Sequence, residues 1–187
     1  MVKNKMYKSI LGPKLNVLLS SLSQCQPRTY IEIGCYQCVT LRLIKDLAPV
    51  YGIERCIGFD LFEQSKGEKD SLGVGEEHSP LDGPPVTYKE ALDFGLEVYH
   101  GDTKETLHVI DELRLPEPVF AFIDGGHSTE TCYSDMTTVR RYYPNAVLLI
   151  DDIDYPGVMA AIKESGYVVD FLPYFLAVTK DAITQTW

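Results

Sequence analysis

An α/β fold built on a mostly parallel sheet is predicted by three observations. Short, almost uniformly apolar runs recur along the chain. Nearly all of them close on an acidic or small residue. Most are separated by segments whose apolar positions repeat every three to four residues. Runs without polar alternation belong to strands buried on both faces, and their alternation with helices implies right-handed parallel crossovers.

In order, the strand runs are TYIEIG (29–34), CIGFDLF (56–62), LEVYHGD (96–102), VFAFIDG (119–125) and AVLLIDD (146–152). The helical segments among and after them are VTLRLIKDLAPVYG (39–52), TKETLHVIDEL (103–113), HSTETCYSDMTTVRRYY (127–143) and PGVMAAIKESG (156–166). The last run, YVVDFLPYFLAVTKD (167–181), holds two strand-like pieces separated only by Pro173 and its neighbours. A gap this short excludes a crossover helix, so the final two strands are expected to pair antiparallel. Two segments lie outside this rhythm. Residues 1–27 read as an amphipathic helical segment, placed to cross the sheet edge, cover the site or serve a homodimer contact. Residues 63–86, rich in Gly, Pro and charge, leave the sheet after the second strand; they read as a lid, or as a solvated loop.

At 187 residues and 45% hydrophobic, residues 1–187 suffice for one domain with a real core. A net charge of −10 argues against a partner bound through phosphates and against an electrostatic membrane anchor. No stretch approaches the roughly 20 apolar residues of a membrane span. Five cysteines without framework spacing suit a reduced, cytoplasmic setting.

Strand carboxyl ends of an open α/β sheet converge on one crevice. They carry Glu32 and Gly34, Asp60, Gly101 and Asp102, Asp124, and Asp151 with Asp152. The first turn, Glu32 to Thr40, has a single glycine and lacks the G-x-G-x-x-G that lets backbone approach a pyrophosphate. NAD and FAD are therefore disfavoured, whereas S-adenosylmethionine, phosphate-free and bearing a sulfonium and an ammonium, suits a loop ringed by acids. Asp60 is placed to bond a ribose and Asp102 an adenine amine, although Asp102-Thr-Lys-Glu105 is equally a helix-capping box.

Asp124, Asp151 and Asp152 form a second constellation. If their strands are neighbours, the ends lie ~5 Å apart, and carboxylates that close call for protons or a hard cation such as Mg²⁺. The alternative is a pair of solvated strand-end acids, with Asp154 capping the helix near Pro156. His127 opens the next helix and suits a general base, or a helix-start residue bonding backbone. Cys35-Tyr-Gln-Cys38, between strand and helix, has the layout of a dithiol redox motif, which keeps a thiol oxidoreductase in view.

YIEIGCYQCVTLRLI resembles the first motif of class I S-adenosylmethionine-dependent methyltransferases. IGFD is similar to the second-strand acid of that family, and VYHGDTKETL to its third-strand Gly-Asp. FAFIDGGHSTETCYSD and AVLLIDDIDYPGV resemble a subgroup containing macrocin-type sugar O-methyltransferases and cephalosporin-hydroxylase-like proteins. The resemblance implies a Rossmann-like seven-stranded sheet in the order 3-2-1-4-5-7-6, strand 7 antiparallel, with helices on both faces. It implies a cofactor site for S-adenosylmethionine at Glu32, Gly34, Cys35, Tyr36 and Thr40, and at Asp60, Gly101, Asp102, Thr103 and Asp124. It further implies Mg²⁺ on Asp124, Asp151 and Asp152, with His127 and Asp124 catalytic and a small-molecule hydroxyl as acceptor. Cys38 stands where the family motif has its second glycine, and Thr129 where the subgroup has tyrosine. The first of these departures motivates an alternative, a cofactor-binding protein that has lost catalysis.

Overall fold

Two-sided burial decides how the strands are used. In the computed structural model, which describes residues 12–62 and 84–179, the described strands form one seven-stranded sheet in the order β3-β2-β1-β4-β5-β7-β6. The elements run α1 (Pro13–Cys25), β1 (Thr29–Ile33), α2 (Val39–Tyr51), β2 (Arg55–Asp60), α3 (Tyr88–Asp93), β3 (Glu97–His100), α4 (Thr103–Thr106), α5 (Val109–Leu113), β4 (Val119–Ile123), α6 (Thr129–Tyr142), β5 (Val147–Ile150), α7 (Pro156–Ser165), β6 (Val169–Leu172) and β7 (Leu176–Thr179). Strands β1 to β5 pair parallel, and β7 is antiparallel to both β5 and β6. This is the order and the reversed strand that the sequence resemblance implied.

Strand side chains alternate between two cores, as a period of two requires. Ile31, Ile33, Phe59, Ala121, Ile123, Leu148 and Ile150 face α5, α6 and α7. Tyr30, Phe120, Phe122, Val147 and Leu149 face α1 and α2, where Leu18, Leu22, Leu41 and Ile44 are fully buried or nearly so. Residues 1–27 thus contribute a helix whose apolar stripe packs on its own sheet. Among the described residues, no helix is long and apolar enough to cross a membrane.

Local expectations need three corrections. The 103–113 segment is not one helix but two short ones, α4 and α5. Tyr88–Asp93, not anticipated, is a helix opened by a complete Thr87–Glu90 capping box. Asp154 does not cap α7; the N-cap is Tyr155, and Pro156 supplies a φ already suited to the first turn. Most of the expected lid, residues 63–83, lies outside the described residues.

The sheet's carboxyl edge is drawn together by backbone. Pairing continues past the strand ends: Gly34 N–H donates to Phe59 C=O (2.9 Å), Asp124 N–H to Ile33 C=O (2.8 Å) and Asp151 N–H to Ile123 C=O (3.0 Å). Gly34 sits at φ +86°, and a Cβ there would lie 1.9 Å from the Asp124 carbonyl oxygen. Gly34→Ala is therefore expected to cost at least ~3 kcal/mol, because strain and a backbone clash add. Gly52→Ala, at φ +71° but with nothing within 4 Å, serves as the control and should cost only about 1 kcal/mol. Urea denaturation of both variants measures the contrast.

Candidate functional site

The first loop is organised from beneath by Asp60. Its Oδ2 accepts from the N–H groups of Cys35 (2.6 Å) and Tyr36 (2.8 Å), and its Oδ1 accepts from Phe62 N–H. The carboxylate expected to bond a ribose thus also holds the β1–α2 loop in shape. Two loop residues take left-handed backbone, Tyr36 (φ 46°) and Cys38 (φ 55°). The latter explains why a related motif has glycine at this place: cysteine accepts about 1 kcal/mol of backbone strain there. Its side chain is fully buried, so it adds nothing to the outer surface of the loop. Thr40 is buried in the first turn of α2.

Glu32 is also buried, and Tyr30 donates its hydroxyl proton to Glu32 Oε2 (2.7 Å). Burial pushes the Glu32 carboxyl up to about 8, with the Tyr30 bond opposing, so the group is mostly neutral near pH 7. At the β3 end, Gly101 has φ +135°, and Asp102 is the N-cap of α4, its Oδ1 accepting from Lys104 N–H (2.9 Å). Capping is therefore part of what Asp102 does. Thr103 is the first residue of α4.

The C-x-x-C pair has the wrong surroundings for a redox thiol. Cys35 and Cys38 are 5% and 0% exposed, and burial pushes the Cys35 thiol well above its ordinary range, opposite to what a nucleophilic thiolate needs. In the native protein both thiols should react slowly with a disulfide reagent at pH 8, becoming fast only on unfolding. A native thiol with a pKa near 7 would contradict this.

The aspartates do converge. Ligand oxygens of Asp124, Asp151 and Asp152 all lie within 4.8 Å of one another. Neighbouring strand ends bring Asp124 beside Asp151, and Asp152 turns inward through a left-handed φ of 54°, which aspartate tolerates better than most residues. Two basic side chains meet them. Lys14 Nζ, from α1, lies 2.6 Å from Asp151 Oδ1 and 3.1 Å from Asp152 Oδ1, while His127 Nε2 lies 3.0 Å from Asp152 Oδ2. The His127 ring stacks on Tyr155 at 4.1 Å between centroids. Ser128, not His127, caps α6 by accepting from Thr131 N–H. Gly157 permits α7 to approach, since a Cβ there would meet the His127 carbonyl oxygen at 2.2 Å.

Charge balance follows from this layout. Asp124 is raised well above the carboxylate range by burial and then by repulsion from Asp151 and Asp152. Burial and the Asp152 charge push Asp151 up to about 6, against the pull of Lys14. Burial also works against Asp152, but hydrogen bonds and charge from His127 and Lys14 outweigh it and hold it down to about 2. Lys14 is raised because the two aspartates overcome its own desolvation. Neither Lys14 nor Tyr155 was visible as a site residue in the sequence; Lys14 is 137 positions from its partner, and only the fold brings them together.

These values set a pH signature. Asp151 protonates near pH 6 when folded and near 4 when unfolded, so stability falls as pH rises through that window. Asp152 stabilises above pH ~4, and that contribution is lost as pH falls towards 2. Between pH 4 and 6, Asp151→Asn should gain on the order of 2 kcal/mol relative to the original chain, read by urea denaturation at both pH values.

Comparison with solved structures finds the same fold in proteins of low sequence identity. The chain is similar to the apo structure of CalS11, a TDP-rhamnose 3'-O-methyltransferase of calicheamicin biosynthesis, with 20% identity, 89% of this chain and 79% of that chain covered, and a TM-score of 0.60. It is also similar to CmcI, both in an apo structure and in a Mg-SAM form, each with 17% identity, 89% and 70% coverage and a TM-score of 0.55. At these identities the likeness is one of fold. No curated protein matches the sequence. Residues 31–153, which run from β1 through the Asp151-Asp152 pair, match the family model described as a methyltransferase domain, and the chain belongs to that family.

Proposed function

We propose that this domain transfers a methyl group from S-adenosylmethionine to a hydroxyl of a small-molecule acceptor, with a divalent cation such as Mg²⁺ held by Asp124, Asp151 and Asp152. The observation that carries the reading is the convergence of these three carboxylates at the β4 and β5 ends, on the same sheet edge as a single-glycine loop. Their donors are all oxygen, the set that a hard divalent ion prefers, and the Lys14 ammonium against two of them supports a site that attracts positive charge. When bound, such an ion supplies Lewis acidity that lowers the pKa of an acceptor hydroxyl.

The chain's own residues divide the remaining work. Asp60 fixes the β1–α2 loop that would carry the cofactor, and buried, mostly neutral Glu32 supports it without adding a charge. Gly101, Asp102 and Thr103 would form the adjoining rim, where Asp102 Oδ2, outside the capping bond and 3.9 Å from Lys104 Nζ, would accept from an adenine amine. His127 is oriented through Nε2 by Asp152 and by stacking on Tyr155, which supports a role in taking the acceptor proton. The alternative of a cofactor-binding protein without catalysis loses its motive, because the Cys38 side chain points into the core.

Titration of S-adenosylhomocysteine with and without Mg²⁺ tests the reading. Binding is expected in the micromolar range, with a separate Mg²⁺ heat. Asp124→Asn should abolish the Mg²⁺ heat and metal-dependent turnover. No binding by the original chain would refute the cofactor assignment, and unchanged turnover in Asp124→Asn would refute the metal assignment.

A further inference from the structure

Lys14 bridges two of the three carboxylates, sharing its ammonium between Asp151 Oδ1 and Asp152 Oδ1 at 2.6 and 3.1 Å. This placement is built into α1. Lys14 precedes Leu18 and Leu22 by four and eight positions, and so lies on the same helical face. Those leucines are 1% and 0% exposed, and the docking that buries them aims the lysine at the cluster. Such an ammonium and a divalent ion seek the same carboxylate lone pairs and repel each other, so both cannot hold them at once. The Lys14 side chain is 31% exposed. Its flexible four-carbon stem lets the head leave by rotamer change while Leu18 and Leu22 stay buried.

We propose that Lys14 is the resident counter-cation of the carboxylate cluster, and that a divalent cation binds by displacing it, so that Lys14 sets the metal affinity of the site. The proposal rests on the metal reading above and adds a residue outside the matched motifs to it. Before an ion arrives, the lysine offsets the mutual repulsion of the acids and keeps them assembled. After the exchange, the ammonium is released towards solvent beside the first turn of α1.

Mn²⁺ binding, followed by calorimetry or by the loss of the free-ion EPR signal, is compared between the original chain and Lys14→Met. If the lysine occupies the cluster nine-tenths of the time or more, Lys14→Met should bind Mn²⁺ at least about tenfold more tightly. Acetylation of lysines in the original chain, read by mass spectrometry, gives a second measure that requires no variant. Lys14 should label slowly without metal and faster at saturating Mn²⁺, while Lys89, 81% exposed and on α3 beside β3, keeps its rate. Equal Mn²⁺ affinity in both proteins, or Lys14 labelling unmoved by saturating Mn²⁺, overturns the displacement while leaving the metal reading intact. No Mn²⁺ binding in either protein overturns the metal reading, and the displacement falls with it. Should Lys14→Met fail to fold, the labelling decides.

Discussion

Three backbone hydrogen bonds beyond the ends of β1, β4 and β5 hold the working edge of this domain together, and they require that Gly34 have no side chain. With the Asp124 carbonyl oxygen where a Cβ would stand, strands β1 and β4 can run on side by side for one more residue. That extra residue on β4 is Asp124, and the equivalent extension of β5 is Asp151. The acidic cluster is in this sense a consequence of sheet register. Parallel pairing brings like positions of successive strands together, so acids closing neighbouring strands are forced into one another's field.

Such a cluster cannot stay uncompensated in a partly buried place. The chain answers with two basic side chains from different directions: Lys14 from a helix on one face of the sheet, and His127 from the loop leading into α6. Their effect is uneven. Asp152, touched by both, is pulled down to about 2, while Asp151 remains up at about 6 and Asp124 higher still. A site divided in this way holds one firmly ionised carboxylate and two that respond to a change of nearby charge, which suits cation exchange. It also links α1, outside the matched family segment, to the chemistry of the sheet edge.

The β1–α2 loop follows a similar economy. Asp60 gathers three backbone N–H groups, and Glu32 is buried as a mostly neutral acid bonded by Tyr30. Both are the strand-end acids that a motif reading assigns to a ligand. In the folded chain Asp60 shapes the turn, and Glu32 accepts from Tyr30 on its own strand. Asp102, with one oxygen on the α4 amide, likewise has a structural task.

Much of this was readable from the chain. Apolar runs closed by acids indicate two-sided strands and their carboxyl ends because burial and hydrogen bonding act locally on every residue of a strand. The short spacer around Pro173 requires an antiparallel turn for the same local reason. What the sequence could not decide depends on distance through space. The partnership of Lys14 with Asp151 spans 137 positions and exists only because Leu18 and Leu22 dock α1 on the sheet. The inward direction of Cys38 comes from a left-handed backbone that no composition reveals, and the same holds for the turn of Asp152 towards its neighbours. Sequence alone determined the sheet, its working edge and the acids on that edge, since these follow from pattern and polarity. Tertiary structure alone decided which cation meets those acids and which of them stays charged, since electrostatic energy depends on separations and burial that are set only when distant helices pack.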